Sequence, residues 1–345
     1  MNKVLICNTM KKKLLFSILA VADCSFLSLG APKSTALVTV RSENSVIKTV
    51  AFIGERGEES GKRSVTSGVS TGLESGNAVF EVAALKYKAG FVIRCYNKKG
   101  EYIGYYNHPE PMALSAGQNL ELDDFDSRYV SLRKAPEVVD MGLPSGIKWA
   151  SANLGAKNPY EAGDFYAWGE IQTKDFYNRE TADKAQAYRF GRIASAFVKY
   201  LNQTSMYGSR LQIIDDAVAM NCGGKFRTPT KSDFEELLKY CDWEYVYKYD
   251  GHPVSGLVFY KKATAGGQEK SGPRLFFPTY GYMNKDERKM ELDGFFMMAD
   301  YEESEANDKT FIKAGCFRIS GKNKEGVFYP FTPYFGMTVR PVCDK

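Results

Sequence analysis

Between Ala36 and Leu122, apolar and polar positions alternate in short runs. Leu37-Val38-Thr39-Val40, Val46 to Ile53, Ala78 to Val82 and Phe91 to Tyr96 are rich in β-branched and aromatic residues, and Gly, Ser and Asn separate them. Asn97-Lys98-Lys99-Gly100 predicts a hairpin loop leading into Tyr102-Ile103-Gly104-Tyr105-Tyr106. Short strands at this spacing predict an all-β, sandwich-like N-terminal domain over residues 36–130. Gly54, Gly57 and Gly61 lie among Glu and Ser with no helix after them, so they do not form a phosphate loop.

The pattern changes near Lys134-Ala135-Pro136, which predicts a linker over 131–138 and a second, separately folding domain over 139–345. A period near 3.6 then appears twice. Tyr188, Ile193, Phe197 and Leu201 predict a helix over 184–201, and Phe234, Leu237, Leu238 and Cys241 predict another over 231–241. The second has a strong start signal. Thr230 followed by Asp233 is an N-cap pattern, Pro229 holds Thr228 extended, and Glu235 with Lys239 makes a solvent-side i, i+4 pair. Val254 to Tyr260, Leu275 to Pro278, Gly294 to Met298, Thr310 to Arg318 and Val327 to Phe331 read as short strands. Long polar connections fall at 263–272, 284–293 and 300–309. Helices mixed with short strands make the fold class α+β.

Several ordered motifs carry a resemblance. They are Val139-Asp140-Met141-Gly142-Leu143-Pro144-Ser145-Gly146-Ile147-Lys148-Trp149-Ala150, Gly163 to Glu170, Asp215-Asp216-Ala217, Gly224-Lys225-Phe226-Arg227-Thr228-Pro229-Thr230, Leu275 to Pro278, Gly281-Tyr282, and Gly336 to Val342. Over 137–343 the chain resembles the Fibrobacter succinogenes major paralogous domain family of secreted Bacteroidetes proteins. That family looks like a C-type-lectin-like fold related to the formylglycine-generating enzymes. The resemblance implies a C-type-lectin-like C-terminal domain whose first strand, near 147–150, pairs with its last, near 337–342. It departs from the family at Phe226, Thr228 and Phe296-Met297-Met298, where the family usually has Trp, Met and a Trp-Ser-Ser run, so ligand preference is not carried over.

Composition adds the cell biology. Lys11-Lys12-Lys13 before Leu14 to Ala22 is the order of a secretory signal over residues 1–30, with Ser28 and Gly30 suiting cleavage after Gly30 and Ser34/Ala36 offering a second site. Met10 offers an alternative start. The apolar run is short and interrupted by Asp23, which reads as a cleaved signal rather than a retained span, and Asp23 also disfavours lipidation at Cys24. Removing four lysines and Asp23 with this segment lowers the formal charge from +5 to +2. No Lys/Arg-rich run remains, which argues against a nucleic-acid partner.

Candidate chemistry is sparse. His108 and His252 fall in different predicted domains and both precede proline, so neither a histidine metal cluster nor a Ser-His-Asp site is expected. Five cysteines follow the signal, namely Cys95, Cys222, Cys241, Cys316 and Cys343, and no CxxC occurs. The related enzymes use a close cysteine pair near the C-terminus; here Thr338 stands five residues before Cys343. Cysteine oxidation is therefore the alternative reading, and a structural subunit of a surface appendage is another. The lectin calcium triplets are absent too, so no metal or cofactor is expected. Aromatics interleaved with polar residues remain, at Trp243 and Tyr245 in an alternating run, and at Tyr282, Asn284, Asp286, Asp300 and Tyr301 in the polar connections. Such faces suit stacking on sugars or gripping a protein. The expectation is an exported, non-catalytic surface protein whose partner is a glycan or a surface protein.

Overall fold

The computed structural model describes residues 35–54, 59–64, 66–67, 76–87, 90–178, 200, 210–262, 272–306 and 309–345. The segment 1–30 expected as a secretory signal, most of the helix expected over 184–201 and the connection 263–271 lie outside these residues. The chain is strand-rich and sandwich-like with few helices.

The N-terminal part is two facing sheets. One has the order Asn119–Leu122, Thr35–Ser42, Gly76–Ala83, Thr66–Ser67; the other runs Tyr129–Ser131, Tyr102–His108, Phe91–Tyr96, Thr49–Ile53, Glu59–Ser64. Strict alternation sets the inner faces. Ala36, Val38 and Val40 from one strand and Ala78, Phe80 and Val82 from its neighbour are buried, and they meet Val50, Phe52, Phe91, Ile93 and Tyr106 across the sandwich. The Asn97 side chain accepts from the Lys99 and Glu101 amides, and Gly100 takes a positive φ of 76°, which explains the Asn-x-x-Gly turn.

Strand 91–96 is buried on both sides, which alternation alone does not predict. Its outer face is covered because Val92 and Tyr105 pack with Ile171 and Met220 of the C-terminal part. The Tyr102 hydroxyl donates to the Met220 carbonyl at 2.9 Å and the Tyr105 hydroxyl to the Ile171 carbonyl at 3.3 Å. The segment expected as a linker is tied on both sides: the Leu132 amide donates to Ile103, the Arg133 amide to Asn221, and the Arg133 side chain pairs with Asp164 at 2.6 Å.

The C-terminal part is built on a five-stranded sheet, ordered Phe165–Tyr166, Met337–Thr338, Gly294–Ala306, Lys309–Ser320, Glu325–Phe331. Both of its faces are covered. Phe295, Met297, Ala314, Cys316 and Phe331 face a cluster with Tyr166, Trp168 and Tyr301, whereas Phe296, Met298, Phe317 and Ile319 face Trp149, Phe234, Leu237, Leu257 and Phe277. The expected joining of chain ends is present as Trp149 opposite Val342 and Lys148 opposite Cys343. Arg340 is wholly buried. It donates to Asn153 Oδ1 and to the carbonyls of Ala150, Ser151 and Phe276, so one side chain ties three segments together.

The helix Lys231–Tyr240 starts where the sequence places it, with a reciprocal capping box between Thr230 and Asp233. Phe234 stacks on Phe317 at 4.4 Å, and Leu237 is fully buried. The solvent-side pair differs. Lys239 lies over the Tyr240 ring, while Glu236 accepts from the Ser145 amide and hydroxyl. Two connections expected as loops contain strands among the described residues. Tyr282–Asn284 and Glu287–Lys289 form a hairpin, and strand 294–306 continues through Asp300 with a bulge between Met297 and Tyr301. Their polarity misleads because this end of the strand pair carries charge on both sides, as in Glu302 opposite Lys313, and backbone pairing rather than burial defines it.

Candidate functional site

Tyr282 lies at the centre of an aromatic nest. Its ring is 5.0 Å from Phe295, 4.9 Å from Phe331 and 5.2 Å from Phe335, while part of it stays open to solvent. The hairpin carrying it is anchored by paired backbone bonds. Met283 and Gly336 exchange bonds at 2.8 and 2.9 Å, and Tyr177 and Lys285 exchange bonds at 2.8 and 2.6 Å. Gly281 enters the hairpin at φ +67°, donates to the Asp293 carbonyl, and would bring a Cβ within 2.0 Å of the Lys289 carbonyl. Only glycine fits that approach, so the Gly281-Tyr282 pair fixes where the ring is presented. Asn284 pairs with Glu287 across the hairpin and Asp286 stands exposed at its turn, next to Lys285 with φ +59°.

Asp300 and Tyr301 lie elsewhere. Asp300 accepts from the Lys231 amide at 2.6 Å at the start of the helix 231–240, with Arg210 3.6 Å away, and burial pushes its carboxyl above the usual range. Tyr301 is buried, donates to the Tyr200 carbonyl at 3.0 Å, and packs edge-on against Trp168 and Tyr200. Both therefore stand in strand 294–306 rather than in a loop, Tyr301 buried and Asp300 partly exposed. A polar sequence neighbourhood does not reveal this, because burial here follows from which sheet face a residue occupies.

Trp243 and Tyr245 belong to a separate surface, the strand Cys241–Val246, opposite the buried Phe259 and Leu257. Trp243 is 40% exposed at the sheet edge and Tyr247 is 64% exposed. Tyr245 and Tyr247 meet edge to face at 5.4 Å, and Lys324 lies 5.3 Å over the Tyr247 ring. Tyr249, last of the alternating aromatics, is buried and stacks on Phe276 at 4.0 Å. The seven expected site residues are thus divided among a hairpin nest, a helix start, a core and a second sheet edge.

Other groups have structural environments. His252 stacks on Tyr160 at 3.6 Å and His108 on Phe91 at 4.8 Å. Asp216 caps the helix Ala217–Cys222 and also accepts from the Thr228 amide and hydroxyl. None of the five described cysteines is in a disulfide. Burial pushes the Cys222 thiol up to about 12 and Cys241 to about 11, and raises Cys95 and Cys316 further; only Cys343 is partly exposed. No helix of the described residues is long and apolar enough to cross a membrane.

Sequence reasoning passed over Arg318, Asp293, Tyr329, Phe331 and Phe335, which border the nest. The available signal is the two-residue period Ile312, Ala314, Cys316, Arg318, which sets a charge on an otherwise apolar face. Compared with known proteins, the chain matches no family model, no curated protein and no solved structure.

Proposed function

We propose that this is an exported, non-catalytic binding protein whose C-terminal part is a lectin-like module taking a glycan, with a surface-protein ligand as the variant of the same reading. The observation that carries it is the Tyr282 nest. A half-open ring, braced by three phenylalanines and mounted on a doubly anchored hairpin, offers planar contact area whose conformational cost is already met by the fold. The meeting of the module's first and last strands at Trp149 and Val342 is consistent with a lectin-like topology, and the signal-like segment 1–30 supports export. The high thiol pKa values of the buried cysteines count against cysteine oxidation at those positions, because the thiolate is the reactive form.

The reading is tested with a glycan array probed by the wild type and by Tyr282→Ala. The expected result is a restricted set of bound glycans that the variant loses, unchanged by a calcium chelator. Retention of the same glycans by Tyr282→Ala contradicts the site. Self-association with no glycan or protein ligand favours an appendage subunit instead.

A further inference from the structure

Beside the Tyr282 nest, the same sheet face ends in a charged residue whose position is fixed from several directions. Arg318 stands opposite Phe295 on one neighbouring strand and Val327 on the other. Its guanidinium carbon is 5.6 Å from the Phe295 ring and 5.6 Å from the Tyr329 ring. Nε and Nη2 both donate to Asp293 Oδ2, at 2.9 and 2.6 Å, and Asp293 is itself held by the Gly321 amide donating to Oδ1. Two aromatic rings and one carboxylate therefore hold the plane of the guanidinium, although the side chain remains 26% exposed.

Counting donors shows what is left over. Of the five N–H groups of an arginine, two are used by Asp293; both on Nη1 and the second on Nη2 have no acceptor among the described residues. Nη1 and Nη2 form the end-on edge of the fork, which matches a carboxylate bidentately. Asp293 offers little in return, being only 6% exposed with both oxygens already accepting. The site is donor-rich. A neutral sugar needs donors and acceptors in comparable number, whereas a carboxylate only accepts. Beside the fork, Tyr329 is 42% exposed, and beyond Phe295 lies Tyr282, so rings suited to a sugar face flank a group suited to an acid.

We propose that Arg318 is the specificity residue of this surface and that it selects a carboxylate-bearing sugar, a uronic or sialic acid residue, with Tyr329 and Tyr282 as flanking platforms. The proposal rests on the glycan reading above. Because the Arg318 charge is already balanced by Asp293, selection comes from the oriented N–H pair more than from long-range attraction, so binding should fall only modestly between low and physiological salt.

The test is calorimetric titration of the full chain with an oligogalacturonide, with a sialyl-oligosaccharide, and with the carboxyl-reduced neutral form of the first. At least one acidic probe should bind tenfold or more tightly than the neutral one. Arg318→Lys, which keeps charge but loses the fork, should cut that preference at least fivefold, and Tyr329→Ala, at an exposed position, should weaken acidic binding with an unchanged melting temperature. Equal binding of acidic and neutral probes, or full preference in Arg318→Lys, overturns this assignment while the glycan reading stands. No binding of any probe overturns the assignment, and an empty array alongside it overturns the glycan reading as well.

Discussion

Asp233 ties the start of the helix 231–240 to Thr230 and to Arg227 of the short strand Phe226–Arg227, and replacing it with Asn tests that tie. Its carboxylate accepts from the Thr230 amide at 2.7 Å and from Arg227 Nη1 and Nη2 at 2.6 and 3.2 Å. Burial opposes ionisation, but the hydrogen bonds and charge of Arg227 and the Thr230 amide win, and the carboxyl is held below its usual value. Losing a cap costs about 1 kcal/mol, and a hydrogen bond to a charged group about 1.5–3 kcal/mol. Stranding a buried partner costs about 3–5 kcal/mol, but Arg227 keeps Asp344 at 2.9 Å and is 28% exposed. Asp233→Asn should therefore destabilise by about 2–3 kcal/mol at pH 7, read as a lower urea midpoint with unchanged slope. Thr230→Ala should cost about 1 kcal/mol, and the double variant less than the sum, since both disturb the bond from the Thr230 hydroxyl to the Asp233 carboxylate. A depressed folded pKa adds stability that is present above the unfolded aspartate value and lost as pH falls through the folded one. The gap between wild type and Asp233→Asn should thus be full at pH 6 and shrink below about pH 4. An unchanged midpoint at pH 7, or a gap that stays constant down to pH 2, would refute this account of the helix.

Three further outcomes test the packing. Leu237→Ala, at a fully buried position between the helix and the central sheet, should cost about 2–5 kcal/mol in chemical denaturation, and a cost below 1 kcal/mol would remove that side chain from the core. Met220→Asp should disrupt the contact with Val92 and Tyr105, so that limited proteolysis within 132–137 becomes several-fold faster than in wild type; equal rates would mean the two parts are not held together there. Among Cys95, Cys222, Cys241, Cys316 and Cys343, only Cys343 should react with a maleimide under native conditions, by peptide mass mapping, and rapid labelling of Cys316 would contradict its burial.

The parts of the fold readable from sequence are those set by local chemistry or one-sided burial. Strand 35–42 alternates because only one face meets a core, and Thr230 with Asp233 announces a helix because the cap is completed within four residues. What was hidden depends on distant partners. Strand 91–96 is buried on both sides only because Ile171 and Met220 arrive from the other part of the chain. The same limit applies to the candidate surface. Tyr282 could be singled out, but Phe331 and Phe335 join it through the bonds between Met283 and Gly336, which no sequence spacing signals. Tyr282 and Tyr301 look alike in sequence, each within two residues of a polar one, yet one caps a surface nest and the other fills a core. In sequence Arg318 is no more than the end of the strand expected over 310–318, and its ties to Asp293 and the flanking rings exist only once three strands are aligned.

The central claim, that the anchored Tyr282 nest binds ligand, is tested most directly by measuring affinity for an array-selected glycan in wild type, Tyr282→Ala, Trp243→Ala and Tyr301→Phe. Tyr282 is braced by three rings and should carry at least about 1 kcal/mol, a fivefold or larger loss. Trp243 lies on the separate edge 241–246 and Tyr301 is buried, so those variants should bind like wild type. A loss confined to Trp243→Ala, with Tyr282→Ala at full affinity, would move the site to the other sheet and contradict the account.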